Sequence, residues 1–144
     1  MSGETSIPAV FFAVDVTGTP EGVRRGLLQV LSSPPCRALT AEQRDTAQLL
    51  LAEVLNNIVE HAYAGRAGDI RLWIGRSDRE VLIRIEDEGC PMPGGAPPEG
   101  QLPAPEDLAE GGFGWHLIRS LSSHLRYERQ GSTNRLSLVM ELEQ

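Results

Sequence analysis

Apolar and polar residues alternate with the period of a strand in some segments of this chain and with that of a helix in others. Near the start of the chain, the pattern predicts one strand followed by one helix. Residues 7–16 are apolar and rich in residues that favour strands, which predicts the first strand. Thr19 stands where an N-cap is expected, and Pro20 takes the first helical position. We therefore expect a helix from Pro20 to about Leu31, before the Ser-Pro-Pro sequence that ends it.

A second helix is predicted from Thr40 and Gln43, whose spacing is that of a capping box, to about residues 64–65. At about 100° per residue, one arc of this helix is apolar, and the other is polar within about 80° either side of Glu53. The polar arc consists of Glu53, Asn56, Asn57, Glu60 and His61. Adjacent Asn side chains compete for backbone hydrogen bonds in mid-helix, so they indicate a ligand or metal contact. The alternative is a solvated helix face without a ligand.

Residues 69–76 and 80–87 predict two strands that form a hairpin. In the second strand three alternating apolar residues share one face, and Asp87 continues that face. The strand therefore ends by directing a carboxylate toward the core, where it requires hydrogen-bond donors.

Residues 90–111 differ in composition from the segments on either side. They contain six of the chain's ten prolines and no Lys or Arg. This composition predicts a functional or disordered loop. A helix from Trp115 to about Ser123 is expected next, followed by a strand pair over residues 125–130 and 135–143.

Length and composition predict one domain over residues 1–144. The apolar content is 40%, and no apolar run is long enough to span a membrane. The first residues lack a secretory signal pattern, which predicts a cytoplasmic protein. Cys36 and Cys90 are too isolated for a zinc site or a disulfide framework. The net charge of −7 argues against nucleic acid and anionic membranes as partners, and leaves a protein or a metal-borne ligand.

Three motifs in order carry a family resemblance. They are Glu53 and Asn57 on a helix, residues 87–89 (Asp-Glu-Gly) at a strand end, and residues 112–114 (Gly-Phe-Gly) before a helix. Their order, spacing and contents resemble the GHKL ATP-binding family, which includes gyrase, histidine kinases and MutL. The Glu53 to Asn57 spacing followed by residues 61–63 (His-Ala-Tyr) looks like the motif of the bacterial anti-sigma-factor serine kinases of the RsbW and SpoIIAB type.

The resemblance covers the whole chain and implies its fold. The expected fold class is α/β (α+β), the Bergerat fold: a two-layer sandwich of a mixed, mainly antiparallel sheet with helices on one face. Residues 90–111 would form a lid over ATP. The resemblance also implies a homodimer.

The resemblance assigns four residues to the phosphate end of ATP. Asn57 would coordinate the Mg²⁺ that bridges the phosphates, and Glu53 would act as a general base or orient a water molecule. Gly112 and Gly114 would present backbone N–H groups to phosphate. These roles suit the chemistry, because Mg²⁺ takes oxygen ligands and a glycine-rich helix N-terminus binds anions.

The resemblance also assigns the adenine end. Asp87 would accept a hydrogen bond from the adenine amino group, and Gly89 would let the base approach the backbone. The family places a Thr near adenine, and Thr133 is the candidate, although strand alternation assigns Asn134 to the core face instead. Taken alone, residues 87–89 could be a solvated turn.

The function implied by the resemblance is that of an ATP-dependent serine kinase. It would bind a sigma factor in one state and phosphorylate a serine on an antagonist of the anti-sigma factor in another. Between Arg84 and Arg119 the sequence has no Lys or Arg to neutralise the terminal phosphate. The alternative is therefore a regulatory module that uses ATP to sequester a protein and transfers no phosphate. A detached histidine-kinase catalytic domain is a third interpretation.

Overall fold

The structure, a computed structural model, describes residues 10–98 and 114–142. Within these ranges the strands are β1 (Val10–Thr17), β2 (Asp69–Arg76), β3 (Glu80–Asp87), β4 (Ser123–Gln130) and β5 (Thr133–Glu141). The helices are α1 (Pro20–Leu31), α2 (Pro34–Arg37), α3 (Ala41–Asn57) and α4 (Gly114–Leu121), and a π-helical turn (Ile58–Ala62) continues α3. Gly112 and residues 99–111 of the predicted lid lie outside the described residues.

The five strands form one sheet in the order β1-β2-β3-β5-β4. The predicted hairpin is confirmed, because β2 pairs with β3 and places Ile70 opposite Asp87. Strand β5 lies between β3 and β4, so Asp87 at the end of β3 is opposite Asn134 at the start of β5. Every pairing among the described strands is antiparallel, so this part of the expected mixed sheet has no parallel pair.

The helices cover one face of the sheet, and the core lies between the two layers. Side chains along β3 alternate between buried and more exposed, as in a sheet with one covered face. Helix α1 contacts β1, and α3 contacts both α1 and α4. The apolar arc of α3 is buried as predicted, with Leu51 and Leu55 fully inaccessible to solvent. The expected α+β fold class is confirmed. No helix in the described ranges is long and apolar enough to cross a membrane.

Both long helices begin where their capping residues predict. The Thr19 hydroxyl accepts a hydrogen bond from Gly22 N at 2.9 Å. At the start of α3 the Thr40 hydroxyl accepts from Gln43 N, and Gln43 Oε1 accepts from Thr40 N, each at 3.0 Å. This reciprocal pair completes the predicted capping box and fixes the start of the helix that carries the polar arc.

The end of the second long helix differs from the expectation of a regular helix to residues 64–65. Regular α-helix ends at Asn57, and in the following π-helical turn Tyr63 N donates to Ile58 O at 2.9 Å, five residues back. Ala64 and Gly65 then adopt positive φ angles of 51° and 87°, which end the helix. A π-helical turn adds a residue to the helical turn, and such turns occur often at functional sites.

Candidate functional site

Two of the five polar residues on the α3 arc face another element, and three face solvent. Glu53 and Asn57 are half-buried, whereas Asn56, Glu60 and His61 are exposed. The exposed His61 and Glu60 lie 3.8 Å apart, at Nε2 and Oε1. The structure thus divides the predicted arc into an inner pair and a solvated remainder.

The inner pair lies against the start of α4. A Cβ atom placed on Gly114 would be 2.9 Å from Glu53 Oε1 and 3.4 Å from Asn57 Nδ2. Glycine at this position therefore allows the backbone at the start of α4 to approach the two side chains closely. A carboxylate, an amide and a helix N-terminus meet here, and this donor set suits a hard cation together with an anionic group.

The Asp87 carboxylate is buried, as the alternation predicted, and is 6% exposed. Its Oδ1 atom accepts from Gly89 N and from Asn134 Nδ2, each at 2.8 Å. Both hydrogen bonds from the described residues end on Oδ1, so Oδ2 keeps its acceptor capacity for another donor. The protein therefore supplies the hydrogen-bond donors that the buried carboxylate needs at Oδ1.

Asn134, and not Thr133, shares the core face with Asp87. Asn134 is 4% exposed. Thr133 faces the other side of the sheet, where it lines a shallow surface depression with Glu128 and Arg135. The structure brings Asp87, Gly89 and Asn134 together and leaves Thr133 apart from them, and the nucleotide-binding role of Thr133 stays a prediction.

The end of the π-helical turn is packed against the turn that follows Asp87. Cys90 N donates to Ala62 O at 2.7 Å. A Cβ atom on Gly89 would lie 2.4 Å from Ala62 O, which is closer than atoms can approach. Gly89 is therefore required by helix packing, whether or not a ligand also approaches its backbone.

Tyr63 joins the same turn to the neighbouring strand. Its hydroxyl accepts from Glu88 N at 3.0 Å and donates to Asp69 O at 2.5 Å. Because Ile70 is opposite Asp87, Asp69 and Glu88 would form the next pair of the ladder, and the hydroxyl replaces their direct hydrogen bond. Burial raises the pKa of the Tyr63 hydroxyl, since the anionic form would lose hydration.

Beyond Cys90, the described part of the predicted lid, residues 91–98, contacts the rest of the protein at two points. Met92 N donates to the Tyr127 hydroxyl at 3.0 Å. Farther along, Arg119 of α4 donates from Nε to Pro98 O at 2.7 Å and from Nη2 to Pro97 O at 3.1 Å. The Arg119 guanidinium is thus hydrogen bonded to carbonyls of the predicted lid in this structure.

Sequence reasoning missed two residues of this site, Tyr127 and Arg129 on β4. Both donate to the amide oxygen of Asn134, and Arg129 Nη1 also donates to Gly89 O at 2.7 Å. Alternation places both residues on the core face. An Arg on a core face needs a hydrogen-bond acceptor for its guanidinium, so its presence there is a signal that the sequence contains. One partner, Asn134, is five residues away across the predicted strand pair, but the sequence does not show the other, Gly89 O, which lies 40 residues away.

Sequence comparison identifies the family of the chain. Residues 16–140 match the family described as the histidine kinase-like ATPase domain. The chain belongs to this family, whose members are ATPase domains, and ATP binding follows from that membership.

Two known proteins are similar to this chain, one in sequence and one in fold. The serine/threonine-protein kinase BtrW of Bordetella bronchiseptica is 35% identical over 104 residues, which cover 69% of this chain and 72% of that protein. The crystal structure of the RsbU and RsbW domains of Rv1364c from Mycobacterium tuberculosis covers 94% of this chain with a TM-score of 0.60 and 14% identity. This chain spans 34% of that structure's chain, and at such identity the likeness concerns the fold. The predicted RsbW-type resemblance is confirmed.

Replacing Tyr63 with Phe tests whether the hydroxyl that bridges Glu88 N and Asp69 O stabilises the fold. We expect the free energy of unfolding to fall by about 1–3 kcal/mol, because Glu88 N–H and Asp69 C=O lose their shared partner. Urea denaturation of the native protein and Tyr63→Phe at neutral pH measures the difference. A difference near zero would show that solvent replaces the hydroxyl at no cost.

The raised pKa of Tyr63 also predicts how the free energy of unfolding of the native protein and of Tyr63→Phe depends on pH. A raised pKa means that the folded state holds the Tyr63 proton more tightly than the unfolded chain. This stabilisation is complete below the ordinary tyrosine pKa of about 10 and is lost as the pH rises through the folded pKa. Above pH about 10 the native protein should therefore lose stability more steeply than Tyr63→Phe, and parallel profiles would contradict this.

Proposed function

We propose that the protein is an ATP-dependent serine kinase of the anti-sigma type. It binds a sigma factor in one state and phosphorylates a serine on an antagonist protein in another. The observation that carries the proposal is the apposition of Glu53 and Asn57 to the start of α4 at Gly114. The 35% sequence identity to BtrW, which is named a serine/threonine-protein kinase, supports transfer of phosphate to a hydroxyl side chain.

At the base end, Asp87 accepts a hydrogen bond from the adenine amino group through Oδ2. Its other oxygen is already held by Gly89 N and Asn134 Nδ2. The buried surroundings strengthen this contact, because water competes less for it than at an exposed site. The geometry supports Asn134, rather than Thr133, as the residue beside Asp87.

At the phosphate end, Asn57 offers its amide oxygen to Mg²⁺, which neutralises phosphate charge when bound. Backbone N–H groups at Gly114, and at Gly112 outside the described residues, donate to phosphate oxygens. Glu53 accepts the proton of the attacking serine hydroxyl. The new bond joins the serine oxygen to the γ-phosphorus, the bond from that phosphorus to ADP breaks, and ADP leaves with its electron pair.

A non-catalytic, ATP-dependent binding module is the second candidate. The contact of Arg119 with Pro97 O and Pro98 O favours it, because that guanidinium is held by the lid. In kinases and GTPases such a cation contributes orders of magnitude in rate. In this alternative the nucleotide orders the partner surface, and no phosphate moves.

A homodimer is part of the proposal, and the uncovered sheet face supports it. A row of residues without polar side chains crosses four strands there: Phe11 is opposite Gly75, which is opposite Leu82, which is opposite Val139. Gly75 and Val139 are buried, so Phe11 and Leu82 supply the accessible apolar surface of the row. Phe11 is 53% exposed, and its ring lies 5.5 Å from that of Trp73. Ion pairs within the chain, such as Asp15–Arg71 and Glu86–Arg135, lie on the same face, so its charges are largely neutralised and do not oppose association with a second copy.

Nucleotide binding is the first test. We expect ATP to bind the native protein in calorimetric titration and to bind Asp87→Asn at least about tenfold more weakly, since the carboxylate loses acceptor strength. Asn57→Ala should reduce the effect of Mg²⁺ on ATP affinity, whereas the exposed neighbour Asn56→Ala should behave as native. Absence of ATP binding by the native protein would overturn the proposal.

Phosphoryl transfer separates the two candidates. The native protein is incubated with radiolabelled Mg-ATP and a purified antagonist protein that carries the acceptor serine. Glu53→Gln should reduce transfer by about a hundredfold or more with little change in ATP affinity, because it removes the proton acceptor. The exposed acid Glu60→Gln is the matched control. ATP binding without any phosphoserine in the native reaction would favour the binding module.

Dimerisation is tested on the uncovered sheet face. We expect Phe11→Glu to weaken the dimer at least about tenfold in analytical ultracentrifugation, because a charge replaces an interface anchor. Leu28→Glu is the control, since Leu28 is 64% exposed on α1, away from that sheet face. Equal association of both variants and the native protein would place the interface elsewhere.

A further inference from the structure

The amide of Asn134 is hydrogen bonded on every side. Its two N–H groups are directed at three acceptors, Asp87 Oδ1 at 2.8 Å, Cys90 O at 3.0 Å and Gly89 O at 3.2 Å, so one N–H is shared between two of them. Its oxygen accepts from the Tyr127 hydroxyl and, at 3.0 Å, from Arg129 Nη1. The partners fix which end is which, because a reversed amide would direct its oxygen at three acceptors.

Tyr127 and Arg129 hold this amide from the edge strand β4. Arg129 is directly opposite Asn134 in the ladder, and Tyr127 lies two residues earlier on the same face. Each of them also reaches the chain beyond Asp87: the Tyr127 hydroxyl accepts from Met92 N, and Arg129 donates to Gly89 O. We call Asn134, Tyr127 and Arg129 the amide clamp.

We infer that the amide clamp orients the Asp87 carboxylate and thereby makes the site selective for adenine over guanine. The inference rests on the proposed function, in which Asp87 contacts the base. It assigns Tyr127 and Arg129 as positioning residues, which act on the base only through Asn134 and Asp87.

The physical argument begins with the freedom of a carboxylate. The terminal torsion of Asp is broad, so burial alone does not decide where each oxygen points. Here Asn134 Nδ2 and Gly89 N fix Oδ1 from two directions, which leaves Oδ2 as a fixed acceptor. Adenine offers an amino donor at the position where guanine has a carbonyl oxygen. A fixed acceptor therefore attracts adenine and repels guanine, whereas a loosened carboxylate distinguishes them less.

The test compares ATP and GTP affinities by calorimetry in the full chain, native and with Arg129→Gln or Tyr127→Phe. We expect the native protein to favour ATP. Each substitution should lower the GTP-to-ATP ratio of dissociation constants by about tenfold, mainly through weaker ATP binding. Arg126→Gln is the matched control: it removes the same charge from the same strand, on the opposite face, where Arg126 lies 3.6 Å from Glu128. It should keep the native ratio.

The GTP-to-ATP ratio of dissociation constants separates an effect on positioning from an effect on folding. A variant that is only less stable binds both nucleotides more weakly by the same factor, so its ratio does not change. Native preference for ATP with an unchanged ratio in both variants would overturn the inference and leave the proposed function standing. Equal native affinity for ATP and GTP would also overturn it. Failure of the native protein to bind either nucleotide would overturn the proposed function and the inference together.

Discussion

A carboxylate that is withdrawn from water must be hydrogen bonded, and this requirement at Asp87 organises one end of the sheet. Asp87 is the last residue of β3, so its donors have to come from the turn after the strand and from the neighbouring strand. They are Gly89 N, two residues on, and Asn134, its cross-strand partner on β5. The insertion of β5 beside β3 is therefore what makes burial of this charge possible.

The two halves of the candidate site are joined by one continuous helical segment. Glu53 and Asn57 lie on the last turns of α3, and the π-helical turn then carries the chain to Ala62 and Tyr63, which contact the turn after Asp87. Such a segment is stiff, so the spacing between the Glu53–Asn57 pair and the turn after Asp87 is set by helix geometry. Gly89 permits this contact, because a side chain there would collide with Ala62.

Local signals predicted most of the fold, because capping residues and strand alternation act over a few residues. The capping box at Thr40, the hairpin of β2 and β3, and the burial of Asp87 follow from such signals. The π-helical turn was not predictable, since its hydrogen bond depends on packing against a distant turn. The clamp residues Tyr127 and Arg129 were missed because alternation gives the face of a strand but not its contacts with the distant segment that carries Gly89 O and Met92 N.

Electrostatics sets the last constraint on the site. The chain carries a net charge of −7, and Glu53 itself lies beside the start of α4. A triphosphate brought there meets like charge, and the Arg119 guanidinium is bound to Pro97 O and Pro98 O. Backbone N–H groups lower this repulsion but carry only partial charge. A divalent cation held by Asn57 would supply the positive charge that the proposed reaction requires, and release of Arg119 from the predicted lid would add to it.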